Sequence, residues 1–180
     1  VGDPQRVEKI TQHFDSIEFS TVKREFKTQT GMYKGKRITV MSTGIGPDNI
    51  DIVLNELDAL VNIDLKTREI KDTHTALNII RIGTSGSLHA DIPVGSYVMA
   101  KKAIGVDNML RSYVLDGKTD TALEDAFIAQ SGWDALKGRP YAVSGSEELI
   151  KKIESDKTVG GITTTAGGFY GPQGRVLRLA

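Results

Sequence analysis

Apolar residues recur along this chain with two periods, and the switching between them predicts an α/β protein. Val7, Ile10 and Phe14 fall at helical spacing behind Asp3-Pro4, an N-cap residue followed by one suited to the first helical position. Residues 17–26 and 28–33 are rich in β-branched and aromatic side chains. Lys34-Gly35 then reads as a hairpin turn, and Ile38 and Val40 share a face of a strand over 37–42. Within this β region Arg24-Glu25 reads as mid-strand, with a cross-strand ion pair as its default explanation. From 48 to 61 the period changes. Ile50, Val53, Leu54, Leu57, Leu60 and Val61 form one stripe, which predicts an amphipathic helix packed on a sheet.

The polar stretch 62–76 reads as a surface insertion before the apolar run 77–82, which predicts a buried strand ended by Gly83 and Gly86. A turn and strand over 92–100, a short helix around 121–130 and a short strand at 141–143 follow. Ser144-Gly145-Ser146-Glu147 reads as a capping box opening a helix through Ile153, ahead of a strand over 158–165. Alternating strands and helices, with hairpins near the start, predict a mixed sheet. No repeat, linker or low-complexity tract divides the chain, so a single domain over 1–180 is expected.

Composition narrows the chemistry. With 23 basic and 23 acidic residues and 39% hydrophobic content, the chain has the make-up of a soluble globular protein. No charge surplus points to nucleic acid or an anionic membrane. No apolar run approaches the roughly 18 residues that a bilayer span needs, and no signal-peptide pattern is present. There is no cysteine, and His13, His74 and His89 lie far apart without ligand spacing. A cytoplasmic location is the expectation, with no metal site and no cofactor. Any chemistry falls to Arg, Gln, Thr, carboxylates and backbone. The chain opens on Val1-Gly2 without an initiator Met and stops within what reads as a continuing element at Val176-Leu177-Arg178-Leu179-Ala180. A fragment of a longer polypeptide, truncated at both ends, is expected.

Three loops carry candidate chemistry. Arg81 is a cation among isoleucines at the carboxyl end of the expected central strand. There it requires a partner, either an internal carboxylate or a bound anion. Residues 1–6 place Gly2 and Arg6 at a helix start, which suits an anion as well as a plain cap. Residues 166–178 set Phe169, Tyr170, Gln173, Arg175 and Arg178 among four glycines and a proline. They offer a stacking face, a bidentate amide and cations, the groups a planar heterocycle requires, although solvated charges on a Gly-rich loop are the simpler reading. Gly44 and Gly46 do not make a dinucleotide fingerprint, because position 49 is Asn.

Gly-Asp-Pro-x-Arg at 2–6, Arg-Glu-Phe at 24–26, Ser-Thr-Gly-Ile-Gly at 42–46, Arg-Ile-Gly-Thr-Ser-Gly at 81–86 and Phe-Tyr-Gly-Pro-Gln-Gly-Arg at 169–175 occur in this order. In these motifs the chain resembles the nucleoside phosphorylases over nearly its whole length, and their uridine branch most closely. The resemblance implies a three-layer nucleoside-phosphorylase-like α/β fold with a central mixed, twisted sheet flanked by helices. It implies phosphorolysis of uridine to uracil and ribose 1-phosphate in pyrimidine salvage. Inorganic phosphate would be the co-substrate, held by Gly2, Arg6, Arg81 and Thr84, with Arg24 supplied by a neighbouring subunit. Phe169, Gln173 and Arg175 would bind the base, and Arg81, Thr84 and Arg175 would carry the catalysis. A homodimer building to a homohexamer is implied as well.

Some family features are absent. No Glu-Met-Glu tripeptide, which would hold the ribose hydroxyls, occurs in the sequence, nor does the histidine that would precede Gly2. A monovalent-cation site near Glu25 stays unassigned, because Asn49 stands where a serine is expected. The alternatives are a purine nucleoside phosphorylase, a nucleoside hydrolase of the same fold, or a catalytically incomplete fragment. The 180 residues alone are expected to show little or no turnover.

Overall fold

The computed structural model describes residues 1–179, which gather into two compact units, Val1–Gly86 and the described residues from Ser87 onward. In the first, α1 (Gln5–Thr11) begins where the Asp3 carboxylate accepts the Gln5 N–H at 2.8 Å and the Asp3 carbonyl accepts that of Arg6 at 3.0 Å. Asp3 therefore satisfies the helix start as its residue type predicts. Val7 and Thr11 form the buried face of α1. They pack toward an antiparallel sheet of β1 (Ser16–Lys23), β2 (Phe26–Tyr33) and β3 (Lys36–Met41). Gly31 of β2 lies where a Cβ would meet the Ser16 carbonyl oxygen at 2.1 Å, so only glycine lets the sheet close at that point.

The β2–β3 turn is the expected Lys34-Gly35. Both residues take positive φ (48° and 75°), which matches the twist of the flanking strands. The β1–β2 connection departs from the sequence reading. Lys23 pairs with Phe26, so Arg24-Glu25 is a two-residue turn and not mid-strand. Arg24 takes φ 55°, and neither residue enters an ion pair among the described residues. Two successive charged residues can mark a reversal as readily as an exposed strand face, and the sequence carries no Gly or Asn here to decide between them.

Helix α2 (Pro47–Asn62) covers the predicted span. Its stripe is only partly covered: Ile50, Val53, Leu57 and Val61 are half-buried, while Leu54 and Leu60 are exposed. Buried Asn62 ends it, donating to Asp58 at 2.7 Å and to the Thr75 carbonyl at 3.2 Å while accepting the Thr75 N–H at 2.7 Å. This fastens the polar insertion, which forms a small ladder of β4 (Ile63–Asp64) and β5 (Glu69–Ile70).

The run 77–82 is the main correction. It forms no strand, and Leu77, Ile79, Ile80 and Ile82 are all exposed. A segment apolar on both faces becomes a central strand only when neighbours pair its edges and layers cover its faces. No described strand of this unit pairs with it.

In the second unit β6 (Tyr97–Gly105) is the middle strand. Helix α3 (Thr121–Ser131) and β7 (Tyr141–Ser144) follow, then α4 (Glu147–Ile153) and β8 (Thr158–Thr165). β7 pairs antiparallel with β6 and β8 pairs parallel with it, which makes the predicted mixed sheet. The cap of α4 is Ser146, whose hydroxyl accepts from the Leu149 N–H; Ser144 is the last residue of β7. The core holds Ile104, Tyr141 and Ala142 around the buried carboxylate of Glu124.

Candidate functional site

In the first unit the chain start is woven onto the end of β3. The Val1 nitrogen donates to the Met41 carbonyl at 2.8 Å, Thr43 N–H to the Val1 carbonyl at 2.8 Å and Gly44 N–H to the Gly2 carbonyl at 2.9 Å. Gly44 takes φ 70°, and a Cβ there would lie 2.7 Å from the Glu25 side chain and 2.8 Å from that of Asn49. Buried Ser42 fastens the Arg24-Glu25 turn to the same place, donating to the Glu25 carbonyl and accepting the Lys27 N–H at 2.7 Å. Three motifs far apart in sequence, 2–6, 24–26 and 42–46, thus meet at one edge of the small sheet.

Positive charge gathers there. Arg6 and Arg81 both lie near enough to the Val1 nitrogen to act on it electrostatically. Neither forms a salt bridge among the described residues. Arg81 folds back over its own loop, with Nη1 2.7 Å from where a Gly83 Cβ would stand. The expectation of a buried Arg81 is corrected: the side chain is exposed, and solvent meets its charge. Thr84 is exposed and forms no hydrogen bond among the described residues. Arg24 is exposed at the hairpin tip.

Phe169, Gln173 and Arg175 belong to the second unit. Val106 N–H donates to the Thr165 carbonyl at 2.9 Å, tying the carboxyl ends of the parallel strands β6 and β8. Beyond β8 the loop tip closes on itself around a 3-10 turn, Gly171–Gln173. The N–H groups of Gln173 and Arg175 both donate to the Tyr170 carbonyl at 2.9 Å, and Gly174 follows with φ 71°. Phe169 and Tyr170 expose their rings, and Gln173 and Arg175 are exposed without a side-chain partner among the described residues.

Sequence reasoning missed Asp107 and Tyr141. The Tyr141 hydroxyl donates to Asp107 Oδ1 at 2.7 Å across the end of β6, and the Met109 N–H joins it at 3.0 Å. Burial, then the hydrogen bond to Asp107, pushes the phenol well above its ordinary range, so it stays a donor at any physiological pH. The signal was Gly105, the register partner of Tyr141, where any side chain would collide with the ring.

The family model described as the Phosphorylase superfamily matches residues 1–180, and the chain belongs to that family. It is 30% identical over 179 residues to a uridine phosphorylase of Thermococcus kodakarensis, covering 97% of this chain and 52% of the relative. It is also 30% identical over 181 residues to a DeoD-type purine nucleoside phosphorylase of Listeria welshimeri, covering 94% of this chain and 71% of that one. Among solved structures it is similar to a Trypanosoma brucei nucleoside phosphorylase described as showing uridine phosphorylase activity. That match has TM-score 0.83 and 33% identity, over 98% of this chain and 64% of the other. A Vibrio fischeri uridine phosphorylase shares the fold at TM-score 0.66. The chain spans about half the length of the Thermococcus relative. Among the described residues no helix is long and apolar enough to cross a membrane.

Proposed function

We propose that this chain carries the phosphate and base sites of a nucleoside phosphorylase that converts uridine and phosphate to uracil and ribose 1-phosphate. The observation that carries this reading is that Arg6 and Arg81, from the motifs 2–6 and 81–86 of one unit, form no salt bridge among the described residues. Cations left unpaired by the fold suit a dianionic ligand, and two guanidinium forks can orient it bidentately. The Gly2 backbone and Thr84 complete the shell from this subunit. Arg24, held at positive φ on a hairpin tip, is available to reach a neighbouring copy in a homodimer that builds a homohexamer.

In this reading a phosphate oxygen attacks C1′ of the ribose as the bond from C1′ to the base nitrogen breaks. The bonding pair leaves with uracil, and the sugar passes through a state with oxocarbenium character. Arg81 and Thr84 hold the nucleophile beneath the sugar. Arg175 and Gln173 meet the negative charge growing on the departing base, and Phe169 packs against it. No protein nucleophile, metal or cofactor is required.

The comparable identity to a purine enzyme keeps a purine substrate as the second reading. Against it, residues 166–175 present an amide and a guanidinium, which suit the carbonyl and imide edge of a pyrimidine, and no carboxylate. Phosphorolysis assays with uridine, thymidine and inosine separate the two, and turnover of inosine alone refutes the pyrimidine reading. Release of free ribose without phosphate would mark a hydrolase. The 180 residues lack the Glu-Met-Glu segment and are expected to turn over slowly if at all. Calorimetric binding of uracil against hypoxanthine then gives the same discrimination.

A further inference from the structure

The loop beyond β8 has a stiff tip and a loose stem. Tyr170 to Arg175 is closed by three backbone hydrogen bonds of 2.9 Å, whereas Gly167, Gly168 and Phe169 form none among the described residues. Two consecutive glycines leave such a stem with the widest choice of backbone angles. The position a Gly167 Cβ would take lies 3.9 Å from Asp107 Cβ, and no other residue beyond its chain neighbours comes within 4 Å of it.

Asp107 is aimed with care. Its Oδ1 accepts the Tyr141 hydroxyl at 2.7 Å and the Met109 N–H at 3.0 Å, while Oδ2 has no partner among the described residues. Tyr141 reaches it only because Gly105 has no side chain, a Cβ there lying 2.0 Å from the ring. A buried ring, a glycine made to fit under it and an amide thus fix one oxygen and leave the other free beside a stem with unused N–H groups. A carboxylate accepting backbone N–H bonds makes the stronger, charge-assisted kind of contact.

We propose that Asp107 is a positioning residue for the base loop: Tyr141 and the Met109 amide fix Oδ1, and Oδ2 takes the N–H groups of Gly167 and Gly168 when the loop settles on a nucleobase. This sets the reach of Gln173 and Arg175 without Asp107 touching the substrate. It rests on the reading of 166–175 as the base site.

Amide hydrogen exchange of the stem, with and without uracil, tests it in the full chain and in Asp107→Ala, Asp107→Asn, Asp107→Glu and Tyr141→Phe. In the unaltered chain uracil should slow exchange at Gly167 and Gly168. Asp107→Ala and Asp107→Asn should lose that protection and bind uracil about tenfold more weakly, with phosphate affinity unchanged. Tyr141→Phe should fall between, and Asp107→Glu should restore part of the protection. If Asp107→Ala does not fold, Asp107→Asn and Tyr141→Phe carry the test. Uracil binding with stem protection equal in all variants overturns the positioning role and leaves the base site standing. A parallel fall in phosphate affinity makes Asp107 merely structural and also overturns it. Hypoxanthine bound in place of uracil, with protection that depends on Asp107, supports the positioning role and refutes the pyrimidine reading. If neither base binds, both fall.

Discussion

Glu124 offers the sharpest test of how the second unit is held together. Its side chain is 1% exposed, yet it accepts hydrogen bonds from Arg139 Nε at 2.8 Å and from the Ala142 N–H at 3.2 Å, with Arg111 at 3.1 Å. Glu124→Ala leaves the fully buried Ala142 N–H without an acceptor, a loss of about 1–3 kcal/mol. The two arginines remain part-exposed and recover solvent, so their lost pairing adds little. The expected total is about 1–3 kcal/mol. Glu124→Gln keeps an acceptor for Ala142 and should cost about 1 kcal/mol.

The assay is urea unfolding followed by the fluorescence of Trp133, the single tryptophan, which lies in this unit. The pH dependence has a definite sign. Burial opposes ionisation of Glu124, but the hydrogen bonds from Arg139, Ala142 and Arg111 outweigh it and hold the carboxyl below its ordinary value of 4.5. The gap between the unaltered chain and Glu124→Gln should therefore be full above pH 4.5 and close as pH falls through the lowered value. A gap that is constant with pH, or Glu124→Ala costing under about 1 kcal/mol, would refute the reasoning.

Three further outcomes are expected. Arg81→Lys should weaken phosphate binding about tenfold, because a single ammonium replaces a bidentate fork, and Arg81→Gln should weaken it further; titration calorimetry reads both. Gly44→Ala should destabilise the first unit by about 1–3 kcal/mol, since it strains φ 70° and drives a methyl into Glu25 and Asn49; amide exchange in β1 to β3 checks this. Lys34→Asn, placed at φ 48° before Gly35, should raise the stability of the same unit by a few tenths of a kcal/mol, visible as slower exchange across the β2–β3 hairpin.

What could be read from the sequence was local. The Lys34-Gly35 turn, α2, α3, β7, α4 and β8 are specified by caps, turn residues and short-range periodicity, and they stand where those signals put them. The Arg24-Glu25 turn was hidden because a non-glycine residue takes the positive φ. The run 77–82 was misjudged because an apolar segment has no strand identity of its own, only that which its neighbours confer. At the site, the motifs at 2–6, 42–46 and 81–86 named the residues, but only the backbone bonds from Val1 and Gly2 to residues 41–44 reveal how two of them are joined. Asp107 depended on the register that sets Tyr141 against Gly105, and such long-range pairing leaves no mark within either segment.

Arg81 has a second consequence, which concerns solutions of the protein and not its ligands. Leu77-Asn78-Ile79-Ile80-Arg81-Ile82 is an exposed stretch of strong β propensity, and its single charge is that guanidinium. Stretches of this kind stack with copies of themselves unless a charge interrupts them. Arg81 thus stands as a gatekeeper against intermolecular β-stacking. Arg81→Gln should shorten the time concentrated samples stay free of light-scattering aggregates, and Arg81→Lys should not, so the lysine variant isolates the anion-binding role from the colloidal one.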